Sequence, residues 1–264
     1  MSFFQLLLIA IVQGISEFLP VSSSGHLILI PQLTELPDQG PLIDIAVHVG
    51  SLLAIIIYFW RDAWGLARGG LSTVGLTCDG EQKKLFWYIF FGTIPAVVVG
   101  GAFYALDVLD SFRSTTLVGI NLIVFGILMG VADQIGRQEK SYEQLTLRDA
   151  VLVGLAQALA LIPGTSRSGV TMTMARVLGY KRVEAARFSF LLSMPAVAGA
   201  GILIAFDLAE ASAQMQMDAL IAGGLTFVSA FLTMAFLMNF LRKASMMVFV
   251  IYRVLLGASL LILF

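Results

Sequence analysis

The chain is poor in cysteine and in charge. Its 264 residues include one cysteine, Cys78, so no intramolecular disulfide can form and a disulfide scaffold is excluded. Only 12% of the residues are charged, against about 25% in an ordinary soluble domain. Sixteen Lys and Arg stand against seventeen Asp and Glu, for a net charge of −1. Without a basic excess there is no field to attract nucleic acid, and no nucleic-acid partner is expected. The first apolar run has no basic segment before it and no A-x-A site after it. It reads as part of the fold rather than as a cleaved signal peptide.

What remains is apolar. Hydrophobic residues make up 58% of the chain, and the mean hydropathy is +0.91. A helical span needs about 20 such residues, which leaves room for roughly six to eight passes. A membrane barrel would alternate apolar and polar residues, whereas Leu117–Val131 is apolar on all sides. The fold expected is an all-α integral membrane protein forming a single membrane domain over residues 1–264.

Six stretches read as ordinary spans: Ile45–Trp60, Leu85–Tyr104, Leu117–Val131, Phe188–Phe206, Leu220–Leu241 and Val248–Phe264. Small residues four apart, as at Gly126 and Gly130, predict close helix packing in lipid. Two further stretches, Phe3–Ile30 and Val151–Leu178, are apolar at both ends and polar in the middle, around Gln13–His26 and Pro163–Thr171. Each apolar flank is about ten residues, or about 15 Å of helix, half the hydrocarbon core. Both read as a half-helix, a turn and a second half-helix.

The two stretches also resemble each other at a shift of 144 residues. Gln13 is followed by Pro20, by Ser22-Ser23-Ser24 and by Gly25; Gln157 is followed by Pro163, by Ser166-Arg167-Ser168 and by Gly169. This predicts a duplicated chain, with residues 1–132 and 148–264 each supplying a broken hairpin and three spans. Thr93-Ile-Pro-Ala-Val97 and Ser193-Met-Pro-Ala-Val197 also match, but at a shift of 100, which the duplication does not explain.

Charge placement bears on topology. If the second hairpin does not cross, loops 61–84, 133–148, 176–187 and 241–247 share one side and hold thirteen of the sixteen basic residues, with Arg113 alone opposite and Arg167 and Arg253 at membrane depth. If it crosses, the two sides hold equal numbers. Membrane proteins keep the basic excess inside, so the re-entrant arrangement is expected, with acidic loops around Glu35, Asp38, Asp207 and Glu210 outside. Both hairpins then enter from opposite sides, as an inverted-topology repeat with tips near the midplane.

The ionisable residues at those tips are Glu17, His26 and Arg167. An Arg or Asp at the bilayer centre costs roughly 2.5–3.5 kcal/mol, so each implies a partner or a ligand; a structural Glu17–Arg167 pair is one solution. Gln13 and Glu17, four apart, share a helix face. Ser22, Ser23 and Ser24 outnumber the one hydroxyl that capping needs. His48 sits in an otherwise apolar span and reads as a satisfied core residue. In Pro163–Thr171, Gly164 and Gly169 permit close backbone approach, Ser166 and Ser168 offer hydroxyls, and Thr171 follows on the next helix. That helix N-terminus and the fork of Arg167 suit a phosphate group. Opposite them, Glu17, Ser23 and His26 offer a base, a hydroxyl and an acid for phosphoryl transfer.

The segments Gln13–His26 and Pro163–Thr171 resemble the two signatures of the bacterial undecaprenyl-diphosphate phosphatases of the bacitracin-resistance type: a Glu or Gln four residues before a Glu, and Pro-Gly-x-Ser-Arg-Ser-x-x-Thr. Length and hydropathy match along the whole chain. The resemblance implies a hydrolase of the bacterial plasma (inner) membrane, opening to the outer side, that converts undecaprenyl diphosphate to undecaprenyl phosphate and recycles the lipid carrier for cell-wall synthesis. It implies a catalytic set of Glu17, Ser23, His26 and Arg167; substrate contacts at Gln13, Ser24, Gly164, Ser166, Ser168 and Thr171; and a divalent cation, Mg²⁺ or Ca²⁺, at Glu17 and Gln13. Gln13 stands where many relatives carry Glu. Attack by Ser23 and direct attack by water both remain open, as does a homodimer. Without the resemblance, inverted broken helices fit a transporter or flippase of a polyprenyl phosphate equally well.

Overall fold

The computed structural model describes residues 1–34, 36–75, 79–106 and 114–263; Glu35, Cys78 and Arg113 lie outside them. Eleven α-helices are described: α1 (Phe3–Ser16), α2 (Ser23–Thr34), α3 (Gly40–Tyr58), α4 (Trp60–Leu71), α5 (Gly80–Ala105), α6 (Thr115–Ile135), α7 (Leu147–Leu159), α8 (Arg167–Val177), α9 (Arg182–Glu210), α10 (Ala213–Leu241) and α11 (Met247–Leu263). Among the described residues, the isolated bridge between Lys140 and Tyr180 is the one β contact. Side-chain caps open several helices, including Ser2 at α1, Asp79 at α5, Ser114 at α6, Thr146 at α7 and Ser166 at α8, each supplying an acceptor to an otherwise unpaired first-turn amide.

Four helices, α3, α5, α6 and α10, are long and apolar enough to cross a membrane; α1 and α11 are apolar but shorter. Large apolar side chains such as Phe91, Val98, Leu220 and Ile262 stand exposed on their outer faces, the surface that a multi-pass membrane protein turns to lipid. The two polar-centred stretches each fold as helix, turn and helix: α1 and α2 about residues 17–22, α7 and α8 about residues 160–166.

Glycine sets the closest helix crossings. A Cβ on Gly50 would lie 2.2 Å from the Gly223 carbonyl where α3 meets α10, and one on Gly154 would lie 2.0 Å from the Gly92 carbonyl where α7 meets α5. Lipid tails are as apolar as leucine, so close approach of this kind, rather than apolar burial alone, holds such helices together. Gly126 and Gly130 rest on Arg253 and Val250 of α11, as their spacing predicts. The pairing is symmetric in kind: α1 packs on α10 and α7 on α5, while α3 meets α9 and α6 meets α11.

The four basic connections meet at one end of the bundle. Arg187 is paired with Asp62 at 2.6 Å, Arg182 with Asp133 at 2.7 Å, and the Met246 amide donates to Asp133 at 3.0 Å. The Lys181 amide donates to the Lys140 carbonyl at 3.1 Å. Gln5 donates to the Pro37 carbonyl and the terminal amine pairs with Asp218, tying α1, the segment before α3 and α10 together. One element departs from the sequence reading. The stretch 61–84 contains a helix, α4, whose Gly69 and Gly70 press against Gln82 and Phe86 of α5 and whose Asp62 anchors Arg187. Its charges made it read as loop.

Candidate functional site

The two turns meet. Each is closed by a serine in the left-handed region, Ser22 at φ 75° and Ser166 at φ 72°, the only non-glycine residues with positive φ among those described. They are 144 residues apart. In each turn this serine hydroxyl lies 3.3 Å from the hydroxyl two residues on, Ser24 or Ser168. The Ser166 hydroxyl also accepts from the Gly169 amide at 3.1 Å. Gly164, at φ 85°, sits where a Cβ would be 2.6 Å from the Val118 carbonyl of α6, so its freedom from a side chain is needed both for the backbone angle and for the contact.

A cavity of about 360 Å³ lies between the turns. Glu17, Ser22, Ser23 and Ser24 line it from the first turn, Leu161, Ser166 and Arg167 from the second, with Gln157 of α7, His48 of α3 and Ser193 of α9. Glu17 is at its centre. Its Oε1 accepts from Arg167 at 2.7 Å; its Oε2 accepts from the Ser23 hydroxyl at 2.7 Å and from the Gln13 amide at 3.1 Å. His48 Nε2 stands 3.7 Å from the same Oε2, with its Nδ1 on the Asp44 carbonyl at 2.6 Å. Because a carbonyl only accepts, Nδ1 carries a proton and Nε2 is left toward Glu17. Arg167 spends one further donor on the Ser189 carbonyl at 3.2 Å, leaving three of its five.

The structure thus brings together Glu17, Ser23, Ser24, Ser166 and Arg167. It does not bring His26 to them. The His26 ring lies on the other side of the first turn, with Nδ1 on the Ser22 carbonyl at 2.8 Å and Nε2 2.6 Å from the Tyr252 hydroxyl, its plane parallel to that of Tyr252. Thr171 is buried against α9, 2.6 Å from the Ser189 hydroxyl. Ser168 donates to the Leu19 carbonyl at 3.2 Å, joining the two turns. Gln13 is buried behind Glu17, and Gly164 faces α6.

Two residues of the site were not read from the sequence. His48 looked like a core histidine, and nothing in its own segment marks it otherwise. Arg253 was placed at membrane depth with no role. It is fully buried and donates to the carbonyls of Pro20 in the first turn, of Gly164 and Thr165 in the second, and of Asn121 and Leu122 on α6. A lone arginine in an apolar run was the available signal. The unexplained likeness of residues 93–97 and 193–197 also finds its place. Ala96 and Val97 of α5, with Ser193, Ala196 and Val197 of α9, all line the cavity, from two helices that pack on each other.

The arrangement places a hydroxyl against a carboxylate and leaves guanidinium donors free at a helix start, which suits displacement at a phosphorus atom. Comparison with known proteins agrees. The family described as Bacitracin resistance protein BacA matches residues 6–259. The chain is similar to an undecaprenyl-diphosphatase of Erythrobacter litoralis, 60% identical over the whole of both chains. It is also similar to those of Ruegeria pomeroyi and of a Jannaschia species, 47% and 45% identical over 99% of this chain and 98% of each relative.

Proposed function

The chain belongs to the bacitracin resistance protein BacA family, and we propose that it hydrolyses a polyprenyl diphosphate, undecaprenyl diphosphate, to the monophosphate and inorganic phosphate. The observation that carries this reading is the Ser23–Glu17–Arg167 chain, two 2.7 Å bonds meeting on one carboxylate. Glu17 takes the Ser23 proton as the hydroxyl oxygen bonds to the terminal phosphorus. The bond from that phosphorus to the bridging oxygen breaks, and the lipid monophosphate leaves. Water then hydrolyses the phosphoserine. Arg167 and the first amides of α8 hold the charge that gathers on the phosphate oxygens. The 2.7 Å hydroxyl–carboxylate bond favours Ser23 over water as the attacking group. His48, rather than His26, is the histidine facing the reacting atoms.

A hard divalent cation fits the donor set. Gln13 Oε1 is buried without a hydrogen-bond partner, next to a carboxylate. No group of three or more His, Cys, Asp or Glu forms a cage among the described residues. Mg²⁺ is commonly held by one or two carboxylates, with water and substrate phosphate completing its shell. Glu17 and Gln13 would hold the ion, which would supply positive charge to the diphosphate. Two apolar grooves adjoin the cavity and offer the tail a path open to lipid. One runs between α3 and α10 and shares Ile45 with it; the other, beside α5 and α9, shares Val97.

The topology belongs to the same reading. Six spans and two re-entrant hairpins form an inverted repeat in the bacterial inner membrane. The meeting of all four basic connections at one end, taken with the positive-inside rule, supports a cytoplasmic position for that end and a site opening outward. Phosphate release from a lipid diphosphate by detergent-purified protein, with no vesicle present, separates an enzyme from a transporter. Absence of release under those conditions would exclude the phosphatase.

A further inference from the structure

Gln157 is the one amide side chain in the cavity wall whose polar atoms have nothing to bind. It is 4% exposed, it lines the cavity, and neither its Oε1 nor its Nε2 has a hydrogen-bond partner. Native interiors leave few such groups unpaired, because a buried amide that lost water and gained nothing is costly. An unpaired buried amide at a reacting centre therefore points to something that arrives.

The internal repeat shows why it is free. Gln157 stands 144 residues after Gln13. Gln13 reaches one helical turn on and donates to Glu17. The residue four on from Gln157 is Leu161, whose side chain can accept nothing. The same comparison sets Arg167 opposite Ser23. The first hairpin thus carries the base and the hydroxyl, and the second carries the cation together with an unengaged amide. A diphosphate presents only acceptors around its two phosphorus atoms, and an amide N–H₂ presents two donors.

We propose that Gln157 binds the diphosphate group of the substrate, Nε2 donating to a non-bridging phosphate oxygen beside Arg167 and Oε1 accepting from a water that the phosphates order. This rests on the phosphatase reading. It adds a substrate-binding residue that neither signature contains.

The test uses the full chain in detergent, with Gln157→Leu, Gln157→Met and Gln157→Glu. Three quantities are read: the Kd for methylenediphosphonate, a diphosphate that cannot be hydrolysed; KM and kcat for polyprenyl diphosphate; and the ligand-free unfolding midpoint. Gln157→Leu and Gln157→Met should raise both Kd and KM about tenfold while leaving kcat within about threefold, a loss of binding common to ground and transition states. The ligand-free midpoint should hold or rise, since an unpaired amide has been replaced by an apolar group. Gln157→Glu should weaken binding further, by setting a carboxylate against the phosphates. A Kd and KM within about twofold of the parent in both apolar variants would overturn the assignment. So would a lowered midpoint with unchanged Kd, which would mean that a structural water serves the amide. A parent protein that binds methylenediphosphonate through Gln157 yet releases no phosphate would remove the phosphatase reading and leave the diphosphate contact standing.

Discussion

Arg253→Lys tests whether one side chain holds the two turns in register. The guanidinium is fully buried, and its partners lie on three segments: Leu122 at 3.2 Å on α6, Pro20 at 3.2 Å in the first turn, and Gly164 at 3.0 Å with Thr165 at 2.9 Å in the second. A planar fork reaches in several directions at once; an ammonium is a single point with three donors. Lysine therefore keeps the charge and gives up the bridge, since it can follow one turn and not both. Losing about two charge-assisted bonds at about 1.5 kcal/mol each sets the cost near 3 kcal/mol. The smaller average of about 0.6 kcal/mol per bond seen between membrane helices puts the floor near 1 kcal/mol. At roughly 2–4 °C per kcal/mol, the unfolding midpoint should fall by about 2–12 °C. Ser23 and Arg167 directly follow the two turns, and displacement of a reacting group by about 1 Å can cost on the order of 100-fold. Turnover should therefore drop at least about tenfold, with KM less affected. The assays are thermal unfolding in detergent and phosphate release. A lysine variant with parental midpoint and turnover would show that each turn holds itself, and that Arg253 serves neither.

Arg167→Lys keeps the charge beside Glu17 but loses the fork; turnover should fall at least about tenfold, roughly 1.4 kcal/mol, and near-parental turnover would make Arg167 a structural counter-ion. Ser23→Ala should lose far more activity than Ser22→Ala or Ser24→Ala, all three inserting normally; equal losses would indicate that the run serves the turn and not the reaction, and full activity in Ser23→Ala would leave water as the nucleophile. His48→Gln should lower turnover more than His26→Gln, because only His48 lines the cavity; the reverse order would return the chemical role to His26. With Cys78 replaced by serine, cysteines at Lys140 and Lys181 should react with an impermeant reagent only from the cytoplasmic side and one at Glu210 only from outside; labelling of all three from one side would contradict the topology.

Hydropathy and breaks in it are properties of a segment, and they were legible. Both hairpins could be seen, because polar residues between ten-residue apolar flanks have few other uses in a membrane. The turns fall where the serines and prolines stand. Thirteen basic residues gathered on four connections foretold that these connections meet. Facing is a property of the assembled molecule, and it was not legible. His26 is three residues on from Ser23 in the same helix, yet its ring is held away from the cavity by the Ser22 carbonyl and the Tyr252 hydroxyl of α11. Thr171 lies on the first turns of α8, but its hydroxyl is taken by Ser189 of α9, eighteen residues further on. Helix α4 was hidden by Arg61, Asp62 and Arg68, whose charges are answered in part by Arg187 of another helix. His48 and Arg253 entered the site from spans that look apolar throughout.

The likeness of the two turns explains why the site draws on both. One backbone plan is used twice: a serine at positive φ, then a helix whose first residue donates to Glu17. The two copies differ where the chemistry lies. Glu17 matches Leu161, and Ser23, which opens α2, matches Arg167, which opens α8. Neither turn could be buried among apolar helices alone. The first would bury a carboxylate and the second a guanidinium, each costing roughly 2.5–3.5 kcal/mol without a partner. Together they make the 2.7 Å pair and leave a hydroxyl bound to the same carboxylate. The charge that makes the fold tolerable in lipid is thus the charge that orients the hydroxyl. Truncation to either repeat, or exchange of Arg167 for an apolar residue, removes the neutralising partner and the phosphate clamp in one step. Activity and insertion should therefore fail together in Arg167→Leu, and activity alone in Arg167→Lys.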